Sequence, residues 1–148
     1  MNQEQLKKKI NEVIQKIQTK TPNYLLIMAH RALAMIVQRT DRGIDADGQK
    51  FKSYDPKYKK RKRKLRGDLR WLHLTNDMFN NIVTELIRGK KAKIYLRKGI
   101  SAGQSASPHD KAWYNRDRWF MGLTDTEDRK ITDYFLRQME DVIKNAYR

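Results

Sequence analysis

Residues 57–66 read KYKKRKRKLR, with eight Lys or Arg and no acid. The groups that could do charge chemistry are thus Lys57, Lys59, Lys60, Arg61, Lys62, Arg63, Lys64 and Arg66. The chain carries a formal net charge of +16, so this decapeptide supplies half of the excess. Like charges at this density repel, and the run has almost nothing apolar to bury. Its cations are expected in solvent or against a negative surface. Three uses fit. Phosphate contacts would gain from counterion release, with Tyr54, Tyr58 and Trp71 near enough in sequence to stack bases. An acidic protein surface would be steered into place by the same charges. A solvated helix face or loop would do neither.

Other chemistry needs groups that converge, and little in the sequence suggests it. His30, His73 and His109 are the only histidines, and no HExxH or HxH spacing exists. His30 lies in an apolar run and is expected as an interior or boundary residue. His109 and Asp110 are neighbours in a Gly/Ser-rich segment and are expected at the surface. No phosphate-cradling GxxxxGK[ST] and no GxSxG elbow occurs. Asp45, Asp47, Asp55 and Asp68 form no defensible metal pattern. Residues 41–48 (DRGIDADG) lack the twelve-residue frame and closing Glu of a calcium loop. The chain has no cysteine, which excludes disulfides, thiolate metal sites and Cys nucleophiles. A metal nuclease could still hide among the scattered acids, so the motifs alone leave catalysis open.

The positioning elements follow from periodicity. At 148 residues the chain is expected to be a single domain, 1–148, with one real core. Leu6, Ile10, Val13, Ile14 and Ile17 fall at helical spacing. Pro22 predicts a kink or a fresh helix start. Residues 24–37 (YLLIMAHRALAMIV) are apolar almost all round, so this helix is expected to be the most buried element. Turn chemistry fills 41–48, and Pro56 is a plausible helix start ahead of the basic run. Thr75 or Asn76 would cap a short helix carrying Met78, Phe79 and Ile82 on one side. Residues 82–87 and 92–97 read as a β-hairpin around Arg88-Gly89-Lys90. The Gly/Ser/Ala-rich stretch 99–110 reads as a mobile loop. Trp113, Tyr114, Trp119 and Phe120 crowd together with Arg116 and Arg118 between them, and read as a core edge rather than a binding platform.

Thr124 and Glu127 have capping-box spacing. After them Ile131, Tyr134, Phe135, Gln138, Met139, Val142 and Ala146 mark one helical stripe. The predicted class is α+β: N-terminal helices to about residue 40, a basic segment and small antiparallel sheet over 41–123, and a C-terminal helix over 124–147. No secretory h-region is visible at the N-terminus, and no apolar run approaches the roughly 20 residues of a membrane span.

Three blocks, in this order and spacing, resemble the phage virion morphogenesis family of tailed bacteriophages. The first is Asp47-Gly48 with Phe51, followed by the lysine-rich stretch. The second is Leu74-Thr75-Asn76-Asp77-Met78. The third, the most specific, is Arg118-x-Phe120-x-Gly122-Leu123-Thr124, with Asp125 and Glu127 beyond it. The resemblance covers about two thirds of the chain, from Ile44 to Ile143. Phe51 stands where the family usually has Trp, and Asn76-Asp77 where it has Thr-Gly. The resemblance implies a non-enzymatic structural virion protein, with no cofactor, metal or small-molecule substrate, made in the host bacterial cytoplasm, that completes the tail or joins head to tail at the neck. It would form a ring of its own copies and contact neighbouring neck and tail proteins, with no membrane partner. DNA is a further possible partner through the basic run. The alternative is a stand-alone, cytoplasmic, basic nucleic-acid-binding protein with residues 59–64 on phosphate.

Overall fold

The computed structural model describes residues 3–66, 80–97 and 120–147. Among them the chain is α+β, with three helices and one two-stranded antiparallel sheet. Helix α1 (Gln3–Asp41) is followed by α2 (Pro56–Arg66), strands β1 (Ile82–Ile87) and β2 (Lys91–Leu96), and α3 (Asp125–Tyr147). The second resemblance block, the 99–110 loop and the Trp113–Trp119 aromatics lie outside the described residues. Ile82, grouped above with a short helix, is the first residue of β1.

Helix α1 runs through Pro22 without a fresh start. A proline removes one helical donor and crowds the preceding turn. Two hydroxyls lie on that stretch, Thr19 Oγ1 donating to the Gln15 carbonyl at 2.8 Å and Thr21 Oγ1 to that of Ile17 at 2.7 Å. Burial along α1 also departs from the all-round reading of 24–37. Ala29, Ala32, Ile36, Arg39 and Thr40 are buried, whereas Ile27 is 40% exposed and His30 is exposed. The helix is one-sided because its partners lie on one side. His30 is therefore not an interior residue; its Nε2 sits 3.3 Å from the Thr84 hydroxyl on β1.

The hairpin pairs Ile82 with Leu96 through Ile87 with Lys91. Its turn places Arg88 at φ 49° and Gly89 at φ 67°, with Lys90 N–H donating to the Ile87 carbonyl at 3.1 Å. Two positive φ values in succession match the right-handed twist of the strands. The turn rests beside Pro22: a Cβ on Gly89 would lie 3.6 Å from Pro22 Cγ. Two strands alone are marginal in water, and both pack on α1. Ile82, Ile94 and Leu96 join Ile36, Leu33, Phe51, Phe120, Met121 and Leu123 in one core cluster. On β2, Tyr95 donates to the Glu85 carboxylate, which raises the phenol pKa above its usual value; slight burial adds to the shift.

Helix α3 is antiparallel to α1, since Arg39 meets Glu127 while Arg31 stacks on Tyr134, 3.9 Å from the ring centroid. The whole expected stripe, from Ile131 through Ala146, is buried or half-buried. Leu136, between stripe positions, is 54% exposed.

Ile36→Ala should cost about 2–5 kcal/mol, as core truncations do. Ile27→Ala, one helical face away, should fall within about 0.5 kcal/mol of the unsubstituted protein. Denaturant titration of both variants checks this, and equal losses would restore the all-round burial of α1. Glu85→Gln should lower the Tyr95 pKa toward about 10 in an ultraviolet pH titration.

Candidate interaction sites

The C-terminal end of α1 carries the first site. Gly43 adopts φ 73°, its N–H donates to the Thr40 carbonyl at 2.9 Å, and Ile44 N–H donates to that of Arg39 at 3.2 Å. This paired closure by a left-handed glycine ends the helix and reverses the chain. A tight loop follows. Ile44 and Lys50 bridge, and Asp45 Oδ1 accepts from the N–H groups of Asp47 at 3.0 Å and Gln49 at 2.7 Å. Gly48 takes φ 79°, and Phe51 N–H donates to the Gly43 carbonyl at 2.7 Å. The loop thereby drops Phe51, 6% exposed, into the core beside Phe120, 3% exposed.

Arg39 joins this loop region to the start of α3. Its guanidinium is buried, with Nη2 donating to the carbonyls of Phe120 and Gly122, each at 2.8 Å, and Nη1 paired with Glu127 Oε2. The same Glu127 oxygen accepts from Thr124 N–H at 2.9 Å, and Glu127 N–H lies 3.3 Å from Thr124 Oγ1 as its donor. The expected capping box is therefore formed, and its carboxylate also serves as the counter-ion of Arg39.

Around this clamp Arg39, Ile44, Ala46, Asp47, Gly48, Leu123, Thr124, Asp125 and Thr126 line an open cleft of about 630 Å3. Asp47, Gly48 and Phe51 of the first resemblance block thus meet Phe120, Gly122 and Leu123 of the third, either in the cleft wall or in the core just beneath it. Leu74, Thr75 and Arg118 lie outside the described residues. Arg39 is committed to three acceptors. The exposed polar groups lining the cleft are the carboxylates of Asp47 and Asp125 and the side chain of Thr126. An open cleft with an acidic rim suits contact with a protein segment better than enclosure of a small molecule.

The second site is α2. Asp55 is its N-cap: Oδ1 accepts from Lys57 N–H at 2.8 Å and Tyr58 N–H at 3.3 Å, with Pro56 at the first helical position. Lys57, Lys60, Arg61, Arg63 and Lys64 are exposed. Two members of the expected contact set differ. Lys62 is fully buried, its Nζ 4.8 Å from the centroid of the Tyr54 ring. Lys59 is half-buried and donates to Ser53 Oγ at 2.6 Å. A one-in-four stripe through Tyr58 and Lys62 faces inward, which a bare count of charges does not reveal. Arg66 ends the helix, and its side chain lies outside the described residues. Tyr54 is also corrected: at 7% exposure, 4.9 Å from the Tyr58 ring centroid, it packs under the helix and has no free face for a base. Trp71 lies outside the described residues.

The sequence reading missed Arg39 and Asp55. Asp55 had a signal, an N-cap residue directly before a proline. Arg39 had none, because a cation in a helix's last turn usually stands in solvent. Compared with protein-family models, curated proteins and solved structures, the chain matches none.

Arg39→Met should destabilise the fold by about 3–5 kcal/mol, since it strands the Glu127 charge and leaves two carbonyls without their donor. The Arg39→Met/Glu127→Gln double variant should recover part of that loss. Strict additivity of the two in denaturant melts would count against the clamp. Lys62→Ser should cost about 1–3 kcal/mol, and Lys60→Ser less than about 0.5 kcal/mol, by the same measurement.

Proposed function

We propose that this chain is a structural protein of a tailed-bacteriophage virion that completes the tail or joins head to tail at the neck, working as a ring of its own copies. The observation that carries this reading is the meeting of the first and third resemblance blocks at Arg39. Residues far apart in sequence, each in a block that resembles the family, here line a single surface. Its chemistry is that of a contact. The arginine is structural, the rim is acidic, and the backbone of both walls is fixed by hydrogen bonds. A rigid edge of this kind loses little entropy when a neighbouring protein docks on it.

The alternative of a stand-alone nucleic-acid-binding protein draws on α2, whose cationic face is exposed. It leaves the cleft without a use, and for that reason it stands second.

The reading predicts annular particles of the purified protein in electron microscopy. It also predicts unjoined heads and tails from a phage that lacks the chain, with joining restored by the unsubstituted protein. Asp47→Lys/Asp125→Lys should fold normally and restore joined particles at least ten-fold less well. A monomeric protein whose loss leaves infectious particles unchanged would refute the proposal.

A further inference from the structure

The side chains of α2 sort into three stripes by spacing. Tyr58 and Lys62, four apart, face inward. Lys57, Lys60, Arg61 and Lys64, at i, i+3, i+4 and i+7, share the outward face. Lys59 and Arg63 lie on the flank between. Pro56, Lys59, Lys60, Arg63 and Lys64 line an open concavity of about 590 Å3, with no acid among these residues. The helix is fixed at its start by the Asp55 cap and along its length by the packing of Tyr54 under Tyr58 and Lys62. The outward cations are therefore carried on one helical backbone at regular spacing.

We propose that this face of α2 binds the phosphate backbone of duplex DNA without regard to base sequence. Charge density supports it. At about 1.5 Å per residue, Lys57 to Lys64 spans about 10 Å. Duplex DNA presents one negative charge per about 1.7 Å of axis, or about six over that length. Four cations thus meet a comparable number of phosphates. The composition of the face separates DNA from an acidic protein. Protein interfaces centre on apolar and aromatic residues, with charge at the rim. Protein–DNA interfaces are polar and strongly positive. The described exposed side chains of α2 are all Lys or Arg except Pro56, and the neighbouring aromatic Tyr54 is turned inward. The helix backbone is ordered before contact, so the ordering cost falls on the cationic side chains alone. This inference rests on α2 alone and is independent of the joining proposal.

The test is binding of the full-length protein to a short mixed-sequence duplex across a salt series. Four phosphate contacts give a slope of log K against log salt near −3.6, at about 0.9 per contact. Lys57→Gln/Lys60→Gln/Arg61→Gln/Lys64→Gln, with Lys62 retained, should flatten the slope by about 3. Lys7→Gln/Lys8→Gln/Lys9→Gln/Lys16→Gln removes the same charge from exposed positions of α1 and should leave most of the slope in place. The pair Lys60→Gln/Lys64→Gln should flatten it by about half as much as the α2 set, which covers the case of a poorly folding quadruple variant. Equal flattening by the α1 and α2 sets overturns the proposal by reducing it to net charge. So does tighter binding of a poly-glutamate peptide than of duplex at the same salt, which would assign the face to an acidic protein.

Discussion

The fold depends on one buried cation. Arg39 sits in the last turn of α1, where the helix dipole favours positive charge. Taking a guanidinium out of water costs several kcal/mol, and only good geometry with full pairing returns it. Here most of that pairing comes from the Glu127 carboxylate and the carbonyls of Phe120 and Gly122, which engage both Nη groups, while Nε has no partner among the described residues. Those acceptors belong to the entry of α3, so the cost is met only when both ends of the chain are in place. The clamp also fixes the backbone on either side of Met121, next to the Phe120 ring that packs with Ile36, Phe51 and Ile82. Packing and electrostatics are thus coupled at a single residue.

Much of this was legible from spacing. The α3 stripe and its capping box are local patterns, and nothing distant competed with them. The hairpin was legible because alternation and a Gly turn agree. Two features were not. Burial of Lys62 depends on where Tyr54 lies, and in a run of eight cations no one of them stands out. The role of Arg39 depends on a partner 88 positions away, which periodicity cannot register. The largely apolar run of 24–37 misled for a related reason: composition sets how many faces a helix can bury, while its neighbours set how many it does. Pro22 lies inside α1 beside the hairpin turn, a placement that periodicity alone does not register.

Two surfaces of opposite character follow. At the end of α1 an acidic rim surrounds a neutralised arginine; on α2 five exposed cations stand clear of any acid on that helix. Each is held by backbone capping, one by Thr124 with Glu127 and the other by Asp55. A protein of net charge +16 that places two exposed carboxylates on one such edge can meet a negative partner with one region and a positive partner with another.

The length of α1 imposes a rule on how this protein can vary. Its 39 residues span about 58 Å, while the 23 of α3 span about 34 Å. The antiparallel pairing starts at Arg39, so the longer helix outruns the shorter at the other end, where Leu6, Ile10 and Ile14 remain 42–45% exposed. Because the helix is continuous, the bearing of those three side chains is geared to the clamp. A single residue inserted between Ile17 and Pro22 would swing them by about 100° around the axis, while seven would return them nearly to their original bearing. Length changes in this stretch are therefore restricted to whole pairs of turns wherever the bearing of that stripe matters.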